Sequence, residues 1–159
     1  MNRFLLLATV VTVMVLGVGG RARAQADSRI GTWILNVSKS KYIPGPPPVG
    51  EKRIYAAEGH AMRVSIDSVD VNGNHVSLRY LASDDGKDYP MSGLAFADAV
   101  AMRRISADTF DVDTKKSGKV IATTRVEISN GGKVMTLTSR MVTADGHTID
   151  NVGVFDKQP

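Results

Sequence analysis

Glycine-centred turn signals recur at short intervals and constrain the fold more than any other feature of this sequence. They include Asn72-Gly73, Asp85-Gly86, Ser117-Gly118, Asn130-Gly131 and Asp145-Gly146. Asn-Gly and Asp-Gly tolerate the positive φ angles that tight hairpin turns require. Turn signals every 10 to 14 residues leave room for one strand between them, but not for a strand and a crossover helix. The spacing therefore predicts an antiparallel meander.

The runs between these turns alternate apolar and polar residues, as half-buried strands do. We count about nine or ten such strands, and residues 95–101 fit either one helical turn or a weak strand. A meander of this length has two edges to protect, and closure into a barrel pairs both of them. The predicted fold is all-β, an up-and-down antiparallel meander closed into a barrel. A β-sandwich is the alternative, less favoured because it needs connections that cross between sheets.

The first 26 residues are typical of a secretory signal peptide. Arg3 supplies a positive start, the run from Leu5 to Val18 is uncharged, and two A-x-A cleavage sites end at Ala24 and Ala26. The apolar run is short for a membrane span, which needs about 20 residues. We expect cleavage, no remaining membrane anchor, an exported protein (periplasmic or secreted) and a single domain over 27–159.

Removal of that segment changes the charge balance. It holds three of the 20 basic residues and none of the 16 acidic ones, so 17 basic residues remain against 16. The basic excess of the whole chain is therefore mostly a targeting feature, and nucleic acid is not an expected partner. We expect a monomer.

Few residues point to catalysis or metal binding. The chain has no cysteine, which excludes disulfides and thiolate chemistry. Its histidines, His60, His75 and His147, lack metal-ligand spacing. Asp111 and Asp113 share a strand face, where a carboxylate pair for acid–base catalysis is less expected than a solvated outer surface. The prediction is no metal and no cofactor, and an enzyme is the least supported class.

A proline-rich stretch separates the first two predicted strands. Residues 44–48 read Pro-Gly-Pro-Pro-Pro, and prolines cannot donate the hydrogen bonds of a β-ladder. The stretch is expected to form a stiff crossover at one barrel end. It fits a ligand lid or a partner-docking segment as well.

The Gly31-x-Trp33 start and the Val154-Phe155-Asp156-Lys157 end resemble the calycin group, which includes lipocalins and fatty-acid-binding proteins. The chain is also similar to short exported bacterial domains of unassigned function that begin Gly-Thr-Trp and carry a Ser-Lys-x-x-x-Pro-Gly-Pro stretch, here residues 40–46. The resemblance implies a small-molecule-binding barrel with Trp33 as the plug of its base. Fatty-acid-binding proteins hold the ligand carboxylate with a last-strand Arg and Tyr; Gly153 and Phe155 stand there, so that anion site is missing.

Three polar residues share strand faces with apolar neighbours and are candidates for a pocket. They are Tyr80, Arg104 and Arg140. A charge on an inward face must be paired, hydrated or matched by an anionic ligand group, unless it lies at a strand end and reaches water. The leading hypothesis is an exported barrel that binds a small apolar or amphipathic ligand, with one of these residues fixing its polar group. The alternative is a structural or protein-interaction module that uses residues 44–48 and strand edges.

Overall fold

The computed structural model describes residues 26–143 and 145–159. The predicted signal segment, apart from Ala26, lies outside the described residues, so the signal peptide and the domain boundary at Asp27 stay predictions. The described residues form eleven strands: β1 Gly31–Leu35, β2 Lys41–Ile43, β3 Gly50–Glu58, β4 Ala61–Val69, β5 His75–Ala82, β6 Asp85–Ser92, β7 Ala99–Arg104, β8 Thr109–Lys116, β9 Lys119–Ser129, β10 Val134–Val142 and β11 Thr148–Lys157.

The strands follow one another as an antiparallel meander that closes on itself. Each strand from β3 to β10 pairs with the next one in the chain. β1 pairs with β3 on one side, where Gly31 lies opposite Tyr55, and with β11 on the other, where Trp33 lies opposite Lys157. Ten strands therefore form a closed barrel and β2 is an extra strand, which confirms the predicted barrel rather than the sandwich.

The extra strand continues β1 along the same edge of β11. A 3-10 helix over Val37–Lys39 loops out between β1 and β2, and the backbone N–H of Val154 donates to Oγ of Ser40 at 3.0 Å to bridge the gap. β2 then pairs with β11, where Tyr42 lies opposite Asn151. Among the described strands β11 is the only partner of β2, so its other edge is free. The proline-rich residues 44–48 follow β2 and return the chain to β3.

The connections divide between two ends, which we call the mouth and the base. The mouth carries the connection 44–49, the turns 70–74 and 117–118, the loop 93–98 and the turn before β11. The base carries the N-terminal segment 27–30 and the connections 59–60, 83–84, 105–108 and 130–133. The proline-rich stretch thus lies at a barrel end, as expected for a crossover.

Strand alternation sends one set of side chains into the barrel. The completely buried large side chains are Trp33, Phe110, Phe155, Met102, Met135, Val64 and Val100. They come from β1, β4, β7, β8, β10 and β11, so one core connects nearly the whole wall. No helix within the described residues is long and apolar enough to cross a membrane.

Candidate ligand site in the barrel interior

The interior of the barrel is not completely filled by side chains. A cavity of about 340 Å³ remains, a volume within the range of roughly 300–1,000 Å³ that small-molecule sites occupy. Much of its wall is apolar, with Ile66, Leu78, Val100, Val126, Leu137 and Phe155 among its lining residues. Leu94 and Phe96 of loop 93–98 line it on the mouth side, and Phe96 is 54% exposed. The cavity thus extends from the core towards the mouth.

An ion pair lies in the wall of this cavity on β3. Glu51, Arg53 and Tyr55 occupy alternate positions and all three line the cavity. Nε–H of Arg53 donates to Oε1 of Glu51 at 2.5 Å, and the two side chains are only 18% and 8% exposed. A charge that is this well buried needs a partner, and each of these residues supplies it for the other.

The surroundings keep Arg53 charged and in place. Burial lowers the pKa of its guanidinium, but the charge of Glu51 and the Tyr55 hydroxyl outweigh that effect and raise the pKa above its ordinary value. The guanidinium carbon lies 4.9 Å from the centroid of the Phe155 ring, within cation–π distance. Only Nε–H is used by Glu51, and a guanidinium has five N–H donors. One of the others interacts with the hydroxyl of the neighbouring Tyr55.

Two further tyrosines bring hydroxyl groups to the same cavity. Burial raises the pKa of Tyr80 well above its usual range. Burial, together with the charge of Glu51, raises the pKa of Tyr42 to about 12. Both therefore remain protonated at neutral pH, and each hydroxyl can donate as well as accept a hydrogen bond. Tyr80 is the sequence-predicted residue that the structure brings to the cavity; ligand contact by Tyr80 stays a prediction.

Arg104 lies at the base rather than in the cavity wall. It follows Val100 and Met102 on the inward face of β7, but its guanidinium forms ion pairs with Asp27 and Asp84 and lies 4.5 Å from the Phe110 ring. Arg104 is thus the last residue of β7, and its charge is balanced by these two carboxylates.

Arg140 lies on the outer wall. Its Nε–H donates to Oδ1 of Asp150 at 2.7 Å, and the arginine side chain is 68% exposed. Met135 and Leu137 are the residues of β10 that face the core. A ligand-binding role for Arg104 and Arg140 stays a prediction, but the structure does not bring either of them to the cavity beside Tyr80.

A second buried cluster closes the base. Arg29, 2% exposed, donates from Nη1 and Nη2 to Asp84 at 2.9 and 2.6 Å, and from Nε and Nη2 to Asp27 at 3.0 and 2.8 Å. Its guanidinium carbon lies 3.6 Å from the centroid of the Phe110 ring. We call Asp27, Arg29, Asp84 and Arg104 the base cluster.

Trp33 adjoins this cluster at Arg29 and is completely buried. Its indole N–H donates to the backbone carbonyl of Arg29 at 2.7 Å, and Nζ of Lys157 lies 5.0 Å from the ring. The segment 27–30 is thereby tied to the barrel at its base. The plug role expected of Trp33 stays a prediction.

A larger groove of about 800 Å³ lies against the outer wall of β8–β11. Six of its charged side chains are already paired with one another: Arg103 with Asp113, Arg125 with Asp111, and Arg140 with Asp150. Lys41 and Glu127 also line the groove. Within the described residues, no three His, Asp or Glu side chains are grouped to hold a metal ion. The interior cavity, with its apolar wall and buried polar cluster, is therefore the better candidate site.

Glu51 and Arg53 were missed by the sequence analysis, which assigned no role to the run after the prolines. The signal was nevertheless present. Glu51, Arg53 and Tyr55 occupy alternate positions in the sequence. That spacing puts their side chains on one face of a strand.

Comparisons with known proteins agree with this architecture. No family model and no curated protein matches the chain. Among solved structures, zebrafish ileal bile acid-binding protein complexed with cholic acid is similar, with 15% identity and a TM-score of 0.51 over 82% of this chain and 99% of that one. The fold is that of a calycin barrel. Two apocrustacyanins also match, lobster A1 (13% identity, TM-score 0.42, 84% of this chain) and C2 (13%, 0.43, 86%). This calycin-like chain spans only 63% and 64% of their lengths.

Proposed function

We propose that this protein binds a small apolar or amphipathic molecule inside its calycin-like barrel. The observation that carries the proposal is the interior cavity of about 340 Å³, with an apolar wall and the Glu51–Arg53 pair within it. A molecule that covers the apolar wall gains about 25 cal/mol per Å² of buried apolar surface. The similarity in fold to a protein complexed with cholic acid also supports the proposal.

The polar groups fix the orientation of the ligand. Arg53 and the protonated hydroxyl of Tyr80 are donors in a site of low polarity, where each hydrogen bond is stronger than in water. The apolar body lies against residues such as Leu78 and Val126, while its polar group meets β3. A largely apolar pocket with a few convergent polar groups is the usual form of a small-molecule site.

A protein-interaction module is the second candidate. The free edge of β2 and the largely exposed Pro44–Pro46 favour it. Extended peptides add to such edges by main-chain hydrogen bonds. A protein-interaction module does not need an unfilled interior. The cavity therefore favours the ligand-binding function over this second candidate.

Filling the cavity is expected to abolish binding. Thr124 lines the cavity, and its neighbour Thr123 is exposed on the outer wall of the same strand. We expect Thr124→Trp to weaken binding at least tenfold, because the indole occupies the ligand's space. Thr123→Trp is the matched control and should bind as the parent does. The measurement is fluorescence titration with cis-parinaric acid and with the alcohol of the same chain.

Failure of the parent to bind either probe would overturn the proposal and favour the interaction module. Equal binding by Thr124→Trp and the parent would place the ligand outside the barrel. Arg104→Gln and Arg140→Gln belong in the same titration, because the sequence predicts that these residues bind ligand. A loss of affinity in Arg104→Gln would place the ligand at the base, and a loss in Arg140→Gln at the outer wall.

We also propose that the protein is exported and that residues 1–26 are its signal peptide. The apolar run and the two A-x-A sites support this. Either cleavage site retains Asp27, which the base cluster requires. N-terminal sequencing of protein from its native host should give Gln25 or Asp27 as the first residue. A chain that still carries residues 5–18 would contradict the proposal.

A further inference from the structure

The charges in the cavity determine which polar group a ligand can carry. Resting on the proposed function, we propose that the site takes neutral ligands with a hydroxyl or carbonyl group and excludes carboxylates, and that Glu51 is the specificity-determining residue. A preference for neutral ligands differs from what the sequence suggested, because unpaired arginines in the barrel would favour an anionic ligand.

The cavity has no net positive charge to offer an anion. Among the residues that line it, Glu51 and Arg53 are the charged ones, and they are paired at 2.5 Å. The arginines of the base cluster, Arg29 and Arg104, are paired with Asp27 and Asp84. The lining therefore contributes one positive and one negative charge.

A ligand carboxylate has to compete with Glu51 for the same guanidinium. If it displaces Glu51, a carboxylate that is 8% exposed loses its partner, and an unpaired buried charge is costly. If it shares Arg53, two negative charges lie within a few ångströms of each other, and each disfavours the ionised form of the other. Both arrangements weaken binding of an anion.

A neutral polar group fits the same atoms without that cost. Its oxygen can accept from the N–H groups of Arg53 that Glu51 does not use, and from the Tyr80 hydroxyl. A ligand hydroxyl can also donate to Glu51, whose carboxylate has two oxygens and several acceptor positions. The Glu51–Arg53 pair stays intact throughout.

The test compares two probes that differ only at the polar end. cis-Parinaric acid and the corresponding alcohol have the same apolar chain, so the gain from apolar burial cancels in the comparison. At neutral pH the parent is expected to bind the alcohol about 10- to 100-fold more tightly than the acid, the size of one hydrogen-bonded charge interaction.

Glu51→Gln is expected to abolish this preference. It leaves Arg53 positive and unpaired, so affinity for the acid should rise about 10- to 100-fold, while affinity for the alcohol changes less than about threefold. Glu58→Gln, the same change at an exposed position of β3, is the matched control and should leave both affinities unchanged. In Glu51→Gln/Arg53→Gln both charges are gone, and the alcohol should again be preferred.

The outcomes separate this inference from the proposed function. A parent that binds neither probe overturns both. A parent that binds the acid as tightly as the alcohol, or more tightly, overturns the inference and leaves the ligand-binding barrel in place. This comparison uses the parent alone, so it stands even if Glu51→Gln does not fold. A folded Glu51→Gln variant, checked by circular dichroism, with unchanged affinity for the acid would also overturn it.

Discussion

Replacement of Trp33 by alanine is expected to lower the free energy of unfolding by about 3–5 kcal/mol. The side chain is completely buried, so truncation removes a large apolar contact and leaves a cavity at the base. It also removes the hydrogen bond from the indole N–H to the Arg29 carbonyl. Since a domain of this size is stable by only about 5–15 kcal/mol, much of its stability would be lost.

Denaturant titration followed by circular dichroism measures this change. Ile34→Ala is the matched control, because Ile34 is the next residue of β1 and is 38% exposed; we expect a loss well below that of Trp33→Ala. Trp33→Phe keeps an aromatic ring but not the donor, and should lie between the two. If Trp33→Ala unfolds at nearly the denaturant midpoint of the parent, Trp33 is not the plug of the base.

Loss of the Arg29 guanidinium is expected to be similarly costly. Arg29→Met keeps an apolar stem of comparable length but leaves Asp27 and Asp84 close together, with only Arg104 to pair with them. Breaking a buried ion pair by removal of one partner typically costs about 3–5 kcal/mol. The control is Arg140→Met, which removes an arginine that is 68% exposed and should cost less than about 1 kcal/mol.

Adding Asp84→Asn to Arg29→Met should recover part of the loss, because it leaves a single carboxylate, Asp27, for Arg104 to pair with. Failure of this rescue, with a normal control, would show that Arg29 acts through its packing on Phe110 instead. The losses in the free energy of unfolding caused by Trp33→Ala and Arg29→Met should not be additive. The two residues are hydrogen-bonded and lie together at the base of the barrel.

The base cluster also predicts a loss of stability in acid. Burial by itself raises the pKa of Asp27, but hydrogen bonds and charge from Arg29, with help from Arg104, outweigh it and lower the pKa to about 2. A carboxyl whose pKa is lower in the folded state stabilises the fold above its unfolded value, near 3.8, and loses that effect as the pH falls towards 2. Arg29→Met should show a weaker dependence on pH in this window.

The base of this calycin-like barrel is thus expected to contribute to stability, and the interior cavity to ligand binding. Trp33 and the base cluster close one end with buried apolar surface and paired charges. In the interior cavity, the Glu51–Arg53 pair, Tyr42 and Tyr80 line unfilled space. Disruption of the base is therefore expected to appear as lost stability, and changes at Glu51 as altered ligand preference.

The class of fold follows from the sequence alone. Turn signals at regular spacing set the hairpins, and period-two alternation set the strands, because both are local properties of the backbone. Residues 95–101 were ambiguous, and the structure begins β7 at Ala99. The extra strand β2 was not foreseen, because it exists only through its pairing with β11, more than a hundred residues away.

The candidate site was decided by tertiary structure. Alternation assigns residues to a face, but β10 carries apolar residues on both faces, Val134 and Met135 being neighbours, so the pattern does not tell which face Arg140 shares. Arg104 finds its partner Asp27 at a separation of 77 residues, and Arg29 finds Asp84 at 55. Whether a charged side chain is buried depends on the residues around it. Those residues are distant in sequence and come together only when the barrel closes. The pair Glu51–Arg53 is local in sequence, but closure of the wall around it is what makes it an interior pair.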